Sequence, residues 1–172
     1  MGAPARGLVT VLGHLRHAYD PSGEVDVAGS AGSLAAYTTA LAALVGGARL
    51  AGRELPDQHH PLDLALGGLA VHKLSRLLSK SSVASPLRAP FTEFREATGA
   101  SEHAEEARGD HGVRHTVGEL ITCPFCLGVW VSTAYVAGLV LAPRPTRTAA
   151  AVLVVSALSD AAQHAYERLR AG

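Results

Sequence analysis

Charged residues are spread unevenly along the chain: Val27 to Ala48 contains none, and neither does Leu120 to Pro143. An uninterrupted uncharged stretch of that length reads as a membrane-spanning helix. The first predicts a helix with Ser33 as N-cap, running to about Leu50, with a surface of Ala, Gly, Ser and Thr that lets another helix approach closely. The second predicts a helix from about Val117 to Ala142. Its Leu120–Ala142 portion reaches roughly 34 Å at 1.5 Å per residue, enough for a tilted crossing.

Two further helices are less uniform. One runs from Pro61 or Leu62 to Ser79, with Pro61 suited to its first turn and Asp63 to the positive end of its dipole. Leu64 to Val71 is apolar, but His72, Lys73, Arg76 and Lys80 crowd the last turns. Such a helix either spans, with Lys73 and Arg76 snorkelling, or lies along the interface. The other runs from Thr148 to about Leu169 after a Pro143-Arg144-Pro145 turn, and carries Asp160 in an otherwise apolar setting. A short helix is expected around Leu8 to His17. Ser85 to Phe91 is expected to be extended or turn-like, because each proline restrains its predecessor, and the charged run Glu93 to Arg114 to be a solvated loop. The fold class is therefore all-α, a small helical membrane bundle of about four long helices, three to four of them spanning. A polar N-terminal segment (1–32) precedes a helical membrane domain (33–172) containing the polar loop 80–118.

Composition agrees with that pattern. Hydrophobic residues are 48% of the chain, much of it alanine, beside 18 glycines, while aromatics are only 5%. A soluble core of this size draws more of its buried area from aromatic rings. Fifteen basic and fifteen acidic residues cancel, so no nucleic-acid partner is expected. Arg6 precedes too short an apolar run for a cleavable signal, and Arg6 also occupies the position where a myristoylation site wants Ser or Thr. Insertion then rests on the internal spans. With four spans, Arg6, Arg16, Lys73, Arg76, Lys80, Arg88, Arg95, Arg108, Arg114, Arg168 and Arg170 share one side, against Arg49, Arg53, Arg144 and Arg147 on the other. The basic excess places both termini and the 80–118 loop in the cytoplasm of a multi-pass cell-membrane protein. The expected partners are the lipid bilayer and another membrane protein or a second copy of the chain.

Candidate chemistry is sparse. Cys123-Pro-Phe-Cys126 supplies the chain's two cysteines, at the head of the third helix. A redox reading rests on the helix N-terminus, which stabilises a thiolate, but no strand of a thioredoxin-like unit precedes the pair and no second pair is present to relay electrons. A metal reading needs two more ligands, and His111 and His115 stand nearest. A third reading has the cysteines as small packing residues, with Pro124 fixing the first turn. Two reduced thiols and no bound metal are expected. Asp160 is expected to pair with Lys73 or Arg76, since an unpaired intramembrane carboxylate is costly; the alternative is a hydrated position at the interface. Trp130 and Tyr135 read as packing or interface groups, and His59-His60 as solvated. No phosphate-binding loop, nucleophile elbow or zinc-protease motif is present, and no cofactor or catalytic residue is expected.

The segments Leu74-Ser75-Arg76-Leu77, Ser85-Pro-Leu-Arg-Ala-Pro-Phe91 and Gly118-Glu-Leu-Ile-Thr-Cys-Pro-Phe-Cys-Leu-Gly-Val-Trp130 resemble a bacterial family of small membrane proteins of unknown function. Some of its members are associated with sporulation. The resemblance covers roughly Leu64 to Asp160. It implies a multi-helix membrane protein with Leu-Arg before the loop and Cys-Pro-Phe-Cys at the next helix, and supplies no reaction, ligand or catalytic residue. The expected function is a non-enzymatic membrane scaffold or interaction component. A thiol oxidoreductase and a metal-stabilised membrane module are the alternatives.

Overall fold

A computed structural model describes residues 13, 17–23, 25–99 and 101–172. The short helix expected around Leu8 to His17 lies largely outside the described residues. Helix α1, Val27–Leu50, opens earlier than expected, because Asp26 rather than Ser33 is its cap: the Asp26 carboxylate accepts the Gly29 N–H at 2.9 Å. Helix α2, Pro61–Lys80, begins where proline costs no hydrogen bond, and the His60 ring accepts the Leu62 N–H at 3.2 Å.

The segment expected as a polar loop is folded. A 3-10 turn, Ser82–Ala84, leads into a single helical turn, α3, Ser85–Arg88, where an extended or turn-like segment was expected. Strands β1, Thr92–Gly99, and β2, Glu102–Ala107, form an antiparallel hairpin. The protein is thus mostly helical with a small two-stranded sheet, not all-α. The strands escape a hydropathy reading because their pairing is ionic and largely exposed: Arg95 reaches Glu106 across the hairpin at 2.7 Å. Positive φ at Gly99 (139°) and Ser101 (60°) lets the chain reverse between them.

The expected third helix is two helices. Helix α4, Val113–Thr122, ends at Cys123, and helix α5, Pro124–Leu141, starts beyond it. Pro124 has no N–H to donate, and it forces Cys123 into an extended conformation (φ −97°, ψ 106°). Helix α6, Pro143–Ala171, absorbs the expected proline turn, since both prolines fit its first turn, and the reversal is left to Ala142 (φ −147°, ψ 67°).

Contacts between helices set their directions. Gly67 faces Tyr135 and Ser75 faces Gly128, so α2 and α5 are antiparallel. Asp63 pairs with Arg147 and Lys73 with Asp160, so α2 and α6 run parallel. Thr116 lies 3.5 Å from Asp26, and the Tyr37 and Thr133 hydroxyls are 2.9 Å apart, so α1 runs parallel to the α4–α5 pair. The chain passes alternately up and down, with the hairpin at the end where α2 finishes and α5 begins.

The packed centre is small: Ala70, Ala150 and Val154, with Tyr135 and Leu153 against them. Among the described residues, buried apolar side chains are otherwise only Ala48 and Ala84, and α5 buries none of its residues. Leu62, Leu64, Val129, Val152, Val155 and Leu158 point outward. Small residues inside and large aliphatic residues outside reverse the arrangement of a water-soluble helix bundle. Two helices, Val27–Leu50 and Pro124–Leu141, are long and apolar enough to cross a membrane.

Candidate functional site

The end of α2 meets the hairpin around one buried side chain. Arg88 lies between Pro86 and Pro90, in a turn that directs its guanidinium back under α2. Its Nε and Nη2 donate to the Glu105 carboxylate at 2.9 and 2.6 Å, and Nη1 donates to the carbonyls of Leu78 and Ser81 at 2.8 and 3.0 Å. The cation thus caps the negative end of α2 while fixing β2 beneath it. The side chains of Arg88 and Glu105 are 2% and 5% exposed, so neither has water as a substitute partner. The Thr92 hydroxyl completes the cluster, 2.7 Å from Glu105 and 3.0 Å from the Arg88 carbonyl. Around it, Arg76 holds Glu102 through two bonds of 2.8 Å, Arg108 donates to the Thr92 carbonyl and Arg114 to the Pro90 carbonyl, each at 2.7 Å.

This geometry sets an acid limit. Hydrogen bonds from Arg88 hold the Glu105 carboxyl below the usual glutamate range; burial opposes them, and Thr92, the Arg88 charge and His103 add to them. A depressed folded value means the unfolded chain takes up the proton first. The contribution is therefore complete above the unfolded glutamate value of about 4.3, declines as pH falls below it, and is lost once pH passes below the folded value. Amide protection factors of residues 92–107, taken against the intrinsic exchange rate at each pH, are expected to fall over that acid range in the wild-type protein and to change less in Glu105→Gln, which starts from a weaker hairpin.

A second set of charges joins α2 to α6. Lys73 donates to the Asp160 carboxylate, the pairing the sequence suggests, whereas Arg76 turns instead to Glu102. Nearer the other end, Arg147 grips Asp63 through bonds of 2.9 and 2.7 Å. That pair was not foreseen, although an acid in the first turn of one helix and a base in the first turn of a parallel neighbour is the available signal. Tyr135 completes this end: its hydroxyl donates to the Asp63 carbonyl at 2.8 Å, and its ring covers Gly67. Trp130 meets Tyr37 edge to face at 5.3 Å, joining α1 to α5.

The thiol pair sits at the α4–α5 break. Cys123 is the N-cap of α5, and its Sγ accepts the Cys126 N–H at 3.2 Å. Cys123 is half-buried and Cys126 exposed, both as free thiols. Partial burial pushes the Cys123 thiol up, but the Cys126 thiol, the N–H groups of Cys126 and Phe125 and the Lys80 charge outweigh it, and the net shift is downward. The histidines considered as further metal ligands lie elsewhere. His115 is on α4, 3.5 Å from Glu119, and both His111 and His115 act electrostatically on Asp26 at the head of α1. Eight steps along the helix axis, about 12 Å, separate His115 from Cys123. Among the described residues no three His, Cys, Asp or Glu side chains are grouped so as to hold a metal ion.

Comparison with known proteins places this geometry in a family. Residues 66–166, which run from α2 through the hairpin and thiol pair into α6, match the family described as "Protein of unknown function (DUF1360)". The chain is similar to "Sporulation protein YjcA" of Bacillus subtilis (strain 168), with 32% identity over 101 residues, covering 57% of this chain and 85% of that protein. No solved structure matches significantly. The chain belongs to the DUF1360 family.

Proposed function

We propose that this DUF1360 protein is a multi-pass integral membrane protein that presents its hairpin module, residues 81–112, as a non-enzymatic docking platform on the cytoplasmic face. The observation that carries the reading is α5, an apolar helix with no buried residue, beside an α1 whose leucines also face outward. Water would penalise such surfaces at roughly 25 cal/mol per Å2, whereas hydrocarbon does not. Helices α2 and α6 are less apolar, but Asp63 and Lys73 of α2 pair with Arg147 and Asp160 of α6, which lowers the cost of carrying those charges across. The alternating helix directions and the basic excess on the side of Lys80, Arg168 and Arg170 support cytoplasmic termini. The partner in this reading is another membrane protein or a second copy of the chain, and the name of the Bacillus relative makes sporulation the process to examine first.

Membrane fractionation with alkaline carbonate tests the reading. The protein is expected to stay in the pellet, and release into the supernatant would rule out spanning helices. Reporter fusions at the two termini are expected to report the same, cytoplasmic side; opposite sides would mean an odd number of spans.

A further inference from the structure

We propose that Cys123 and Cys126 form a redox-active dithiol that reduces disulfide-bonded substrates at the membrane surface. Packing does not account for the pair, because Cys126 is exposed and Phe125 between them is 88% exposed. Metal binding does not account for it either, since no third donor joins the two sulfurs among the described residues. What the break between α4 and α5 does produce is a thiol at a helix cap, aligned with the unpaired N–H groups of the first turn. Cys123 Sγ already accepts one of them, the Cys126 N–H, and Lys80 supplies positive charge nearby, with Glu119 as the opposing acid. These are the features that stabilise a thiolate and hold a second thiol three residues on for the resolving step.

The reaction proceeds in two displacements. The Cys123 thiolate attacks one sulfur of a substrate disulfide, forming a mixed disulfide and expelling the other substrate sulfur as a thiolate, which takes up a proton. The Cys126 thiol then loses its proton to solvent and attacks Cys123 Sγ. That step releases the second substrate thiolate and leaves a Cys123–Cys126 disulfide. Two electrons pass from the pair to the substrate, and a small-molecule thiol of the glutathione class returns the pair to the dithiol. Cys123 Sγ lies 3.2 Å from the Cys126 backbone nitrogen, so the sulfur to be attacked is already folded back onto the turn that carries the resolving thiol. The inference goes beyond the docking platform and does not depend on how many helices span.

The test uses the full chain in detergent micelles, or in buffer if it proves soluble, equilibrated at pH 7 with mixtures of reduced and oxidised glutathione. Intact mass and thiol alkylation are the readouts. Wild-type protein is expected to lose both alkylatable thiols together without gaining glutathione mass. Cys126→Ser is expected to trap one glutathione on Cys123, about tenfold faster than Cys123→Ser acquires one on Cys126. Glutathione on both cysteines of the wild type, no oxidation at any ratio, or equal rates in the two variants would each overturn the proposal. Because the wild-type measurement stands by itself, a variant that misfolds does not obscure the answer.

Discussion

Arg88→Met is expected to cost about 3–5 kcal/mol and to release the hairpin from α2, the largest effect of any single substitution in the molecule. The change removes more than a salt bridge. Glu105, 5% exposed, would keep a buried carboxylate with only the Thr92 hydroxyl and the more distant His103 ring beside it, and the carbonyls of Leu78 and Ser81 would lose their shared donor. Arg88→Lys should recover little, because one ammonium cannot hold both oxygens of Glu105 and also two carbonyls on the opposite side. Pairing the substitution with Glu105→Leu should restore part of the loss by removing the stranded charge, since replacing both partners is milder than removing one. Amide exchange across residues 92–107 is the measurement. Unchanged protection in Arg88→Met would show that the hairpin is held by its own ladder and not by the cation.

Gly67→Ala is the second large effect, expected at about 1–3 kcal/mol. A methyl there would lie 2.2 Å from Cε1 and 2.8 Å from Cζ of Tyr135, so the ring has to leave. In leaving it surrenders the bond from its hydroxyl to the Asp63 carbonyl, at the end of α2 where Arg147 also docks. One methyl thus loosens α2 from both α5 and α6. The denaturant midpoint in micelles should fall, and Tyr135→Leu in the Gly67→Ala background should raise it again by vacating the space. If Gly67→Ala is neutral, the α2–α5 contact is looser than its geometry indicates.

The long helices were legible because absence of charge is a coarse signal that survives ignorance of packing. Their ends were less so. Ser33 looked like a cap only because Asp26 was counted with the polar segment, and the prolines of Pro143-Arg144-Pro145 were read as a turn although proline is at home in a helix's first turn. Pro124 was read as fixing a first helical turn, yet the helix was still drawn from Val117 because the apolar run continued through the proline. The hairpin was hidden for another reason: its strands are built largely of charged residues, Glu93, Arg95 and Glu96 on β1 and three glutamates on β2, so no hydrophobic period of two exists to be seen. Arg88 was one cation among many in a charged segment. The resemblance marked the Leu-Arg pair before the loop but gave it no role, since the importance of Arg88 comes from α2 and β2, which only the fold brings to it. Asp160 stood out for the converse reason, as an acid in apolar surroundings; that contrast offered Lys73 or Arg76 as a partner, beside a hydrated position, and the fold pairs it with Lys73.

The two clasps between α2 and α6 also bear on the order in which the protein is made. Their polarity is reversed, acid on α2 at one end and base on α2 at the other, so each helix carries the complement of its neighbour's charges. During synthesis α2 emerges with Asp63 and Lys73 unmatched, and their partners are translated only after the hairpin and the most apolar helix. In the proposed topology α2 therefore enters the bilayer as a provisional segment, and the C-terminal helix completes it on arrival. A nascent chain stopped at Leu141 would present two uncompensated charges to the lipid, a mark by which a membrane protease could tell an unfinished molecule from a finished one.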